Sequence, residues 1–157
     1  MPIREEKTEH LLRDLAIHAV HRELRPVYRL SERLTVAPNG REQDWDFVPR
    51  DGKENLAQAV ILRLLTPRGE LERLGHPRYG ARVHELIGRE NNATTHNLLK
   101  LYILDALQHE ARIEKIVALK VTPTRGNRSA VDILLRVQPV GGSTLVQIGP
   151  FSIDLSA

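Results

Sequence analysis

The segment "LQHEARIEKIVALKV" (residues 107–121) contains the point at which the hydrophobic periodicity of the chain changes. Before it, apolar residues recur at helical spacing, and after it aliphatic residues recur at every second position. The charged residues Glu110 and Arg112 stand between the two patterns. The segment therefore predicts a helix that passes into a β-strand through a charged junction.

The strand pattern continues towards the C-terminus. In "SAVDILLRVQPV" (residues 129–140), four aliphatic residues are expected on one face of a strand: Val131, Ile133, Leu135 and Val137. Gly126-Asn127, between the first two runs, favours a hairpin connection. A third run, "STLVQIGPFSIDL", is interrupted by Gly149-Pro150, which is typical of an edge strand with a bulge or bend. An antiparallel meander is the expected arrangement.

Two segments upstream of the junction have the pattern of core helices. In "DGKENLAQAVILRLLTP", Asp51 and Glu54 have the spacing of a capping box, and Pro67 disfavours helix at the residue before it. Two adjacent apolar rows follow the cap: Leu56, Val60 and Leu64, and Ala57, Ile61 and Leu65. The second helix is predicted in "NNATTHNLLKLYILDAL", with Asn92 or Thr94 as its N-cap.

The order of these elements predicts an α+β fold, in which two core helices pack on an antiparallel sheet of three or more strands. Between the helices, glycine and proline residues predict turns or a brief strand at residues 78–79 and a short helix at residues 83–87. We expect this domain to span residues 46–157.

Residues 1–45 are predicted to form a separate N-terminal helical segment and linker. Five apolar residues recur at approximately helical spacing within residues 4–34: Leu11, Leu12, Leu15, Val20 and Leu24. The next stretch, "APNGREQDWDFVPRDG", is a linker by its proline and glycine content. Within it, Trp45 and Phe47 are expected to anchor the linker to the main domain.

The composition narrows the classes of function. Of the 157 residues, 41% are hydrophobic but only 4% are aromatic, so the expected core is aliphatic. The absence of cysteine excludes disulfide scaffolds and cysteine metal sites. No run approaches the roughly 18 apolar residues of a membrane span, and the charged start "MPIREEKTEH" has no signal-peptide core. The formal net charge is +3, and basic and acidic residues are interspersed along the chain. We expect synthesis in the cytoplasm, no membrane span and no nucleic-acid partner.

No pattern singles out a catalytic or metal site. The pairs His18/His21 and His76/His84 lack a third ligand at a recognised spacing. "GHPRYG" lacks the lysine and the helix start of a phosphate loop. Glycoside hydrolysis needs two carboxyl groups across a cleft, and five glutamates offer no distinguished pair: Glu70, Glu72, Glu85, Glu90 and Glu110. We therefore expect no metal, no cofactor and no catalysis.

Local sequence leaves two interpretations of Glu110 and Arg112 open. In one, they are an ordinary helix end, where Arg112 binds the last free carbonyl groups and Glu110 is solvated. In the other, the pair is held rigidly and presents a carboxylate and a planar guanidinium to a partner protein.

Three segments in order resemble a known family: "ENLAQAVILRLLTPRGEL", "HPRYGARVHELIG" and "TTHNLLKLYILDALQHEARIEKI". They are similar to the small baseplate wedge family of contractile injection machines. That family includes a phage tail wedge protein once called a tail lysozyme, protein W of other phages, the TssE component of type VI secretion, and members in extracellular injection systems. The resemblance covers about residues 50–122.

Two motifs carry the resemblance most directly. Glu110 and Arg112 match a Glu-Pro-Arg motif at the end of the second helix, with Ala111 where proline is usual. Since proline fixes φ and removes an amide donor, alanine there would let the helix run slightly further. The sequence at residues 78–80 resembles the family's aromatic-glycine turn.

The resemblance implies a structural baseplate component. Members are present in six copies around the tail tube, contact the wedge core through the Glu-Pro-Arg region, and pair with the first sheath ring through their strands. It implies wedge proteins and contractile sheath protein as partners, with five protein-binding residues: Glu110, Arg112, Ile113, Arg78 and Tyr79. The alternative is a peptidoglycan-cleaving tail lysozyme, as the older family name suggests. The machine could be a phage tail, a type VI apparatus or an extracellular particle.

Overall fold

The computed structural model describes residues 11–20, 27–36 and 43–156. The strands in these ranges are β1 (Arg13–Leu15), β2 (Ile17–Val20), β3 (Val27–Leu30), β4 (Glu32–Val36), β5 (Gln43–Phe47), β6 (Pro49–Asp51), β7 (Ile113–Pro123), β8 (Ala130–Pro139) and β9 (Val146–Asp154). The α-helices are α1 (Gly52–Leu65) and α2 (Ala93–Leu107), and short 3-10 helices lie at Glu72–Leu74 and Val83–Leu86. The fold class is α+β, as predicted.

The C-terminal strands form an antiparallel sheet in the order β7-β8-β9, which confirms the predicted meander. The alternating residues of β8 are fully buried: Val131, Ile133, Leu135 and Val137. Because β8 is central, β7 and β9 are the edge strands of the sheet that the structure describes. The register of β9 shifts opposite Ile133 and Leu135, so the predicted bulge in an edge strand is confirmed.

One hydrophobic cluster joins the two helices and the sheet. The first predicted row of α1 is completely buried: Leu56, Val60 and Leu64. In α2, Leu99 and Ile103 are likewise 0% exposed, and they belong to the same cluster as the inner face of β8. These aliphatic side chains make a core with little aromatic content, and they fix where the end of α2 meets the start of β7.

The two helices begin differently from one another. The side chain of Asn92 accepts a hydrogen bond from the Thr95 amide at 3.0 Å, which confirms Asn92 as the N-cap of α2. Asp51 occupies the N-cap position of α1, but its carboxylate accepts a bond from Arg13 Nη2 at 2.8 Å and makes no cap bond. The predicted capping box with Glu54 is therefore wrong, because an arginine on a neighbouring strand competes for the carboxylate.

The prediction of an N-terminal helix is wrong where the structure describes that segment. Its described part forms β1 to β4, while its residues 4–10 and 21–26 lie outside the described residues. The exposed fractions give the physical reason. Leu11 is 1% exposed, but Leu12 is 61% and Leu15 is 38% exposed, so these leucines do not share one buried helical stripe.

The predicted linker also contains strands, because β5 and β6 fall within it. Trp45 is 67% and Phe47 42% exposed, so neither side chain is buried against the main domain. The predicted boundary between residues 45 and 46 lies inside β5, and residues 37–42 lie outside the described residues. The division of the chain into two units stays a prediction.

The N-terminal strands meet at a three-way junction formed by Ala16, Ser31 and Val48. At this junction the Ala16 amide donates to Val48 O at 2.7 Å, the Val48 amide to Ser31 O at 2.8 Å, and the Ser31 amide to Ala16 O at 2.8 Å. Each of the three residues separates two consecutive strands. Three two-stranded antiparallel ribbons therefore radiate from the junction, pairing β1 with β6, β2 with β3, and β4 with β5.

Two buried amide side chains of α1 fasten the first ribbons to the core. Asn55 Nδ2 donates to Leu11 O at 3.0 Å, and Gln58 Nε2 donates to Leu15 O at 2.8 Å. Gln58 Oε1 in turn accepts from the Ile17 amide at 2.9 Å. Because buried polar groups need partners, these bonds stabilise the strand backbone and the helix side chains together.

Gly80 provides a test of how closely the turn after α1 packs. Its φ is +95°, and a Cβ atom there would lie 2.6 Å from Thr66 O and 2.7 Å from Pro67 O. We expect Gly80→Ala to lower the free energy of unfolding by about 3–4 kcal/mol, because a left-handed alanine costs about 1–2 kcal/mol and forced displacement of backbone adds more. Gly75→Ala is the matched control, since its φ is +85° and nothing lies within 4 Å. Urea unfolding should give it the smaller loss, and equal losses would contradict the packing argument.

Candidate functional site

A buried carboxylate lies at the junction between α2 and β7. Glu110 is 7% exposed, and its Oε1 accepts from Arg112 Nε at 2.7 Å and from the Arg112 amide at 3.4 Å. Its Oε2 accepts from Nη2 of Arg63, on α1, at 3.2 Å. The interpretation of Glu110 as a solvated helix end is therefore wrong. Both carboxylate oxygens have arginine partners within the chain.

The backbone turns sharply around this carboxylate. The amide of Glu110 donates to Leu107 O at 3.1 Å, and the amide of Ile113 donates to Glu110 O at 3.0 Å. α2 ends at Leu107, before Ala111, so the helix does not run through the alanine. Ile113 is half-buried against the core and begins β7.

The two guanidinium groups decide the ionisation of Glu110. Burial raises the pKa of this carboxyl group, but the hydrogen bond from Arg112 and the charges of Arg112 and Arg63 lower it. The net result is a pKa below the ordinary value of a glutamate. Glu110 is thus an ionised carboxylate at neutral pH, held between two fixed cations.

Tyr79 joins the site through Arg63. The Arg63 guanidinium lies over the Tyr79 ring at 4.5 Å from its centroid, a cation–π contact. Burial raises the pKa of the Tyr79 hydroxyl group, with the Arg63 charge opposing. Arg78 is exposed next to Tyr79 on the same turn. The structure therefore places Tyr79 against Arg63, which binds the Glu110 carboxylate, and leaves Arg78 exposed beside them.

Two open clefts flank the charged group. A cleft of about 430 Å³ is lined by Leu12, Arg13, Asp14, Asn55, Arg63, His109, Glu110, Ala111 and Arg112. A second cleft of about 330 Å³ is lined by Arg63, Gly75, His76, Pro77, Arg78, Tyr79 and His109. Arg63 and His109 contribute to both. Arg112 also reaches Leu11 O with Nη1 at 3.5 Å, so the N-terminal segment borders the first cleft.

The sequence interpretation missed Arg63, although a signal was present. Arg63 lies three positions after Val60 and one before Leu64, within the apolar face of α1. It is 8% exposed, and its Nε has no hydrogen-bond partner. An arginine at a core-facing helical position needs a buried acid nearby, and that requirement could have paired Arg63 with Glu110.

A second charged cluster lies at the surface, and its ion pair is more exposed than the pair of Arg63 and Glu110. Arg82 binds Glu85 through two bonds of 2.7 and 2.8 Å, and Tyr102 donates to the same carboxylate at 3.2 Å. Side-chain exposure is 46% for Arg82 and 48% for Glu85. This cluster connects the 3-10 helix Val83–Leu86 to α2, but solvent screens it.

Among the described residues, no group of three or more histidine and acidic side chains is arranged to hold a metal ion. None of the helices in the described residues has the length and apolarity that a membrane crossing requires.

Comparison with known proteins gives a structural relationship. No family model matches the chain, and no curated protein matches it. A crystal structure of a "putative tail lysozyme" from Geobacter sulfurreducens is similar, with a TM-score of 0.55 and 25% sequence identity. The match covers 67% of this chain and 94% of the Geobacter protein. The chain therefore shares the fold of a phage-tail-related protein.

The buried position of Glu110 predicts a large cost for neutralising it. We expect Glu110→Gln to lower the free energy of unfolding by about 3–5 kcal/mol, because the buried Arg63 and the partly buried Arg112 lose their counter-charge. Glu85→Gln is the matched control, and its exposed ion pair should make little difference. Urea unfolding of both variants measures the effect. Similar stabilities for the two would argue against a structural role for Glu110.

The pKa of Glu110 predicts an acid-dependent part of this difference. The pKa of Glu110 in the folded chain lies below its reference value of 4.5. As the pH falls towards and below 4.5, Glu110 therefore binds a proton more readily in the unfolded chain than in the folded chain. The stabilisation is complete above the unfolded-state pKa and is lost as the pH falls through the folded-state pKa. We expect the stability difference between wild type and Glu110→Gln to shrink on acidification. Unfolding at stepped pH measures it, and a constant difference would contradict the assignment.

Proposed function

We propose that the chain is a structural component of the baseplate of a contractile injection machine. In this role it joins the wedge core to the first ring of the sheath, in six copies, without catalysing a reaction. The observation that carries the proposal is the structural likeness to a phage-tail-related protein over 67% of the chain. The junction at Glu110 and the open edges of the sheet support it.

The docking contact is assigned mainly to Arg112, with Glu110 as its positioning group. The Glu110 carboxylate is 7% exposed and already has two arginine partners, so it has little capacity for a partner protein. The Arg112 side chain is 17% exposed and lines the 430 Å³ cleft. A guanidinium has five donors in a fixed plane, and Glu110 holds that plane. A carbonyl or carboxylate of the wedge core is the matching acceptor.

The sheath contact is assigned to the edges of the C-terminal sheet. β7 and β9 each leave one side unpaired within the sheet that the structure describes. An extended segment of a partner can add to such an edge by main-chain hydrogen bonds. Exposed Val117 on β7 adds an apolar contact next to this edge.

The alternative is a peptidoglycan-cleaving lysozyme, and the description of the Geobacter protein favours it. Such an enzyme needs a general acid with a raised pKa next to a second carboxylate. The pKa of Glu110 is lowered, and both its oxygens are bound by arginine. The pKa of the exposed Glu85 is also lowered, by its hydrogen bond to Arg82. Neither environment resembles that of a catalytic acid, so the structural role is preferred.

Arg112→Lys in the producing cells tests the docking role. Lysine keeps the counter-charge for Glu110 but loses the planar set of donors. We expect the variant to fold and its incorporation into sheath-containing particles to fall about tenfold, the effect of roughly 1.4 kcal/mol. Quantitative mass spectrometry of purified particles measures the ratio of this chain to sheath protein.

Arg63→Lys is the control, because Arg63 binds the same carboxylate from the inner side. Arg63→Lys should lower the free energy of unfolding. The molecules that do fold should enter the particles at close to the wild-type ratio. Normal incorporation of Arg112→Lys would overturn the docking role. Clearance of a cell-wall suspension by the purified chain, lost in a folded Glu110→Gln variant, would establish the lysozyme instead.

A further inference from the structure

The ribbon formed by β4 and β5, called the arm below, has an apolar face. In its antiparallel register Leu34 is opposite Trp45, and Glu32 is opposite Phe47. Directly opposed residues project to the same face of a ribbon, and so do residues two apart on one strand. Leu34, Trp45 and Phe47 therefore share one face, with Glu32 at its edge.

This apolar face is open to solvent. Leu34 is 48% exposed, Trp45 67% and Phe47 42%. A two-stranded ribbon is marginally stable in water unless a third element covers it. An aromatic and aliphatic cluster on such a ribbon is the kind of surface that interfaces bury, since tryptophan is enriched among residues that dominate binding energy.

The charge of the arm differs in sign from that of the chain. The sequences of the two strands contain three acidic residues and one arginine, a formal charge of −2, whereas the whole chain carries +3. Of these groups, Glu32 is on the apolar face, and Asp46 is opposite Arg33 on the other face. A partner surface of positive charge would complement the arm and increase the rate of encounter.

We infer that the arm docks on another protein, at a surface that presents aliphatic side chains flanked by lysine or arginine. Contact between the arms of two copies would bring two negatively charged ribbons together, which opposes that alternative. A membrane rich in anionic lipid would be repelled for the same reason. This inference rests on the arm alone and does not depend on the proposed baseplate role.

Trp45 is the only tryptophan of the chain, so its fluorescence reports directly on the arm. The probes are two amphipathic helical peptides of equal length, one of leucine and lysine and one of leucine and glutamate. Addition of the lysine peptide to the full chain should shift Trp45 emission to shorter wavelength and protect it from acrylamide. The glutamate peptide should produce neither change. Added salt should weaken binding of the lysine peptide.

Three variants assign the binding to the arm and leave the Trp45 reporter in place. Leu34→Ser and Phe47→Ser should each weaken binding of the lysine peptide about tenfold. Leu101→Ser is the matched control, because Leu101 is 59% exposed on α2, outside the arm, and its removal should change nothing.

Glu32→Lys keeps the three apolar side chains and changes only the charge on their face, so it tests the electrostatic part even if a serine variant loses the ribbon. It should weaken binding of the lysine peptide and strengthen that of the glutamate peptide. Four outcomes would overturn the inference: no Trp45 response to the lysine peptide, equal binding of both peptides, binding instead to anionic lipid vesicles, or self-association detected by sedimentation that shifts Trp45 emission without peptide.

Discussion

The ionised carboxylate of Glu110, buried between Arg63 and Arg112, is the constraint on which the arrangement of this protein depends. A buried charge costs several kcal/mol unless fixed partners neutralise it. Those partners come from α1 and from the start of β7, so the carboxylate fixes the distance between the first helix and the helix–strand junction. The Tyr79 ring against Arg63 extends the same constraint to the turn after α1. The charged side chains and the aliphatic core therefore both fix the position of α1 relative to the junction between α2 and β7.

The N-terminal strands depend on polar contacts of a different kind. Asn55 and Gln58 lie on α1. Their side-chain amides make hydrogen bonds to the backbone of Leu11, Leu15 and Ile17, as the backbone of a neighbouring strand would do. Beyond that contact the strands are held by the hydrogen bonds of the three-way junction and by each other. Leu11 and Ala16 are buried, at 1% and 2% exposed, whereas Leu34, Trp45 and Phe47 of the arm are exposed. The chain thus presents a site with two arginines near the core and, farther out, an acidic arm with an exposed apolar face.

The sequence predicts those parts of the fold in which local periodicity and burial coincide. Both helices and the three-stranded sheet were predicted because their apolar residues recur at the period of the element they form, as in β8. The N-terminal strands were missed because distant partners decide them: Arg13 pairs with Asp51, and Ile17 with Leu30. The same competition removed the predicted cap from Asp51. For the site, local sequence left the role of Glu110 and Arg112 open and the family resemblance implied that they act together, but only the fold brings Arg63 and Tyr79 to them.

Ala111 leaves the turn between α2 and β7 without the restraint of a proline ring. In the baseplate wedge family that the sequence resembles, proline usually occupies this position, and its ring restricts the backbone. In this chain the turn is instead held by hydrogen bonds: Glu110 O accepts from the Ile113 amide, and the Glu110 carboxylate accepts from the amide and Nε of Arg112. Two of these three bonds end on the carboxylate of Glu110, and the third joins backbone groups. The two bonds to the carboxylate are strongest while Glu110 is ionised, so the orientation of Arg112 depends on the protonation of Glu110.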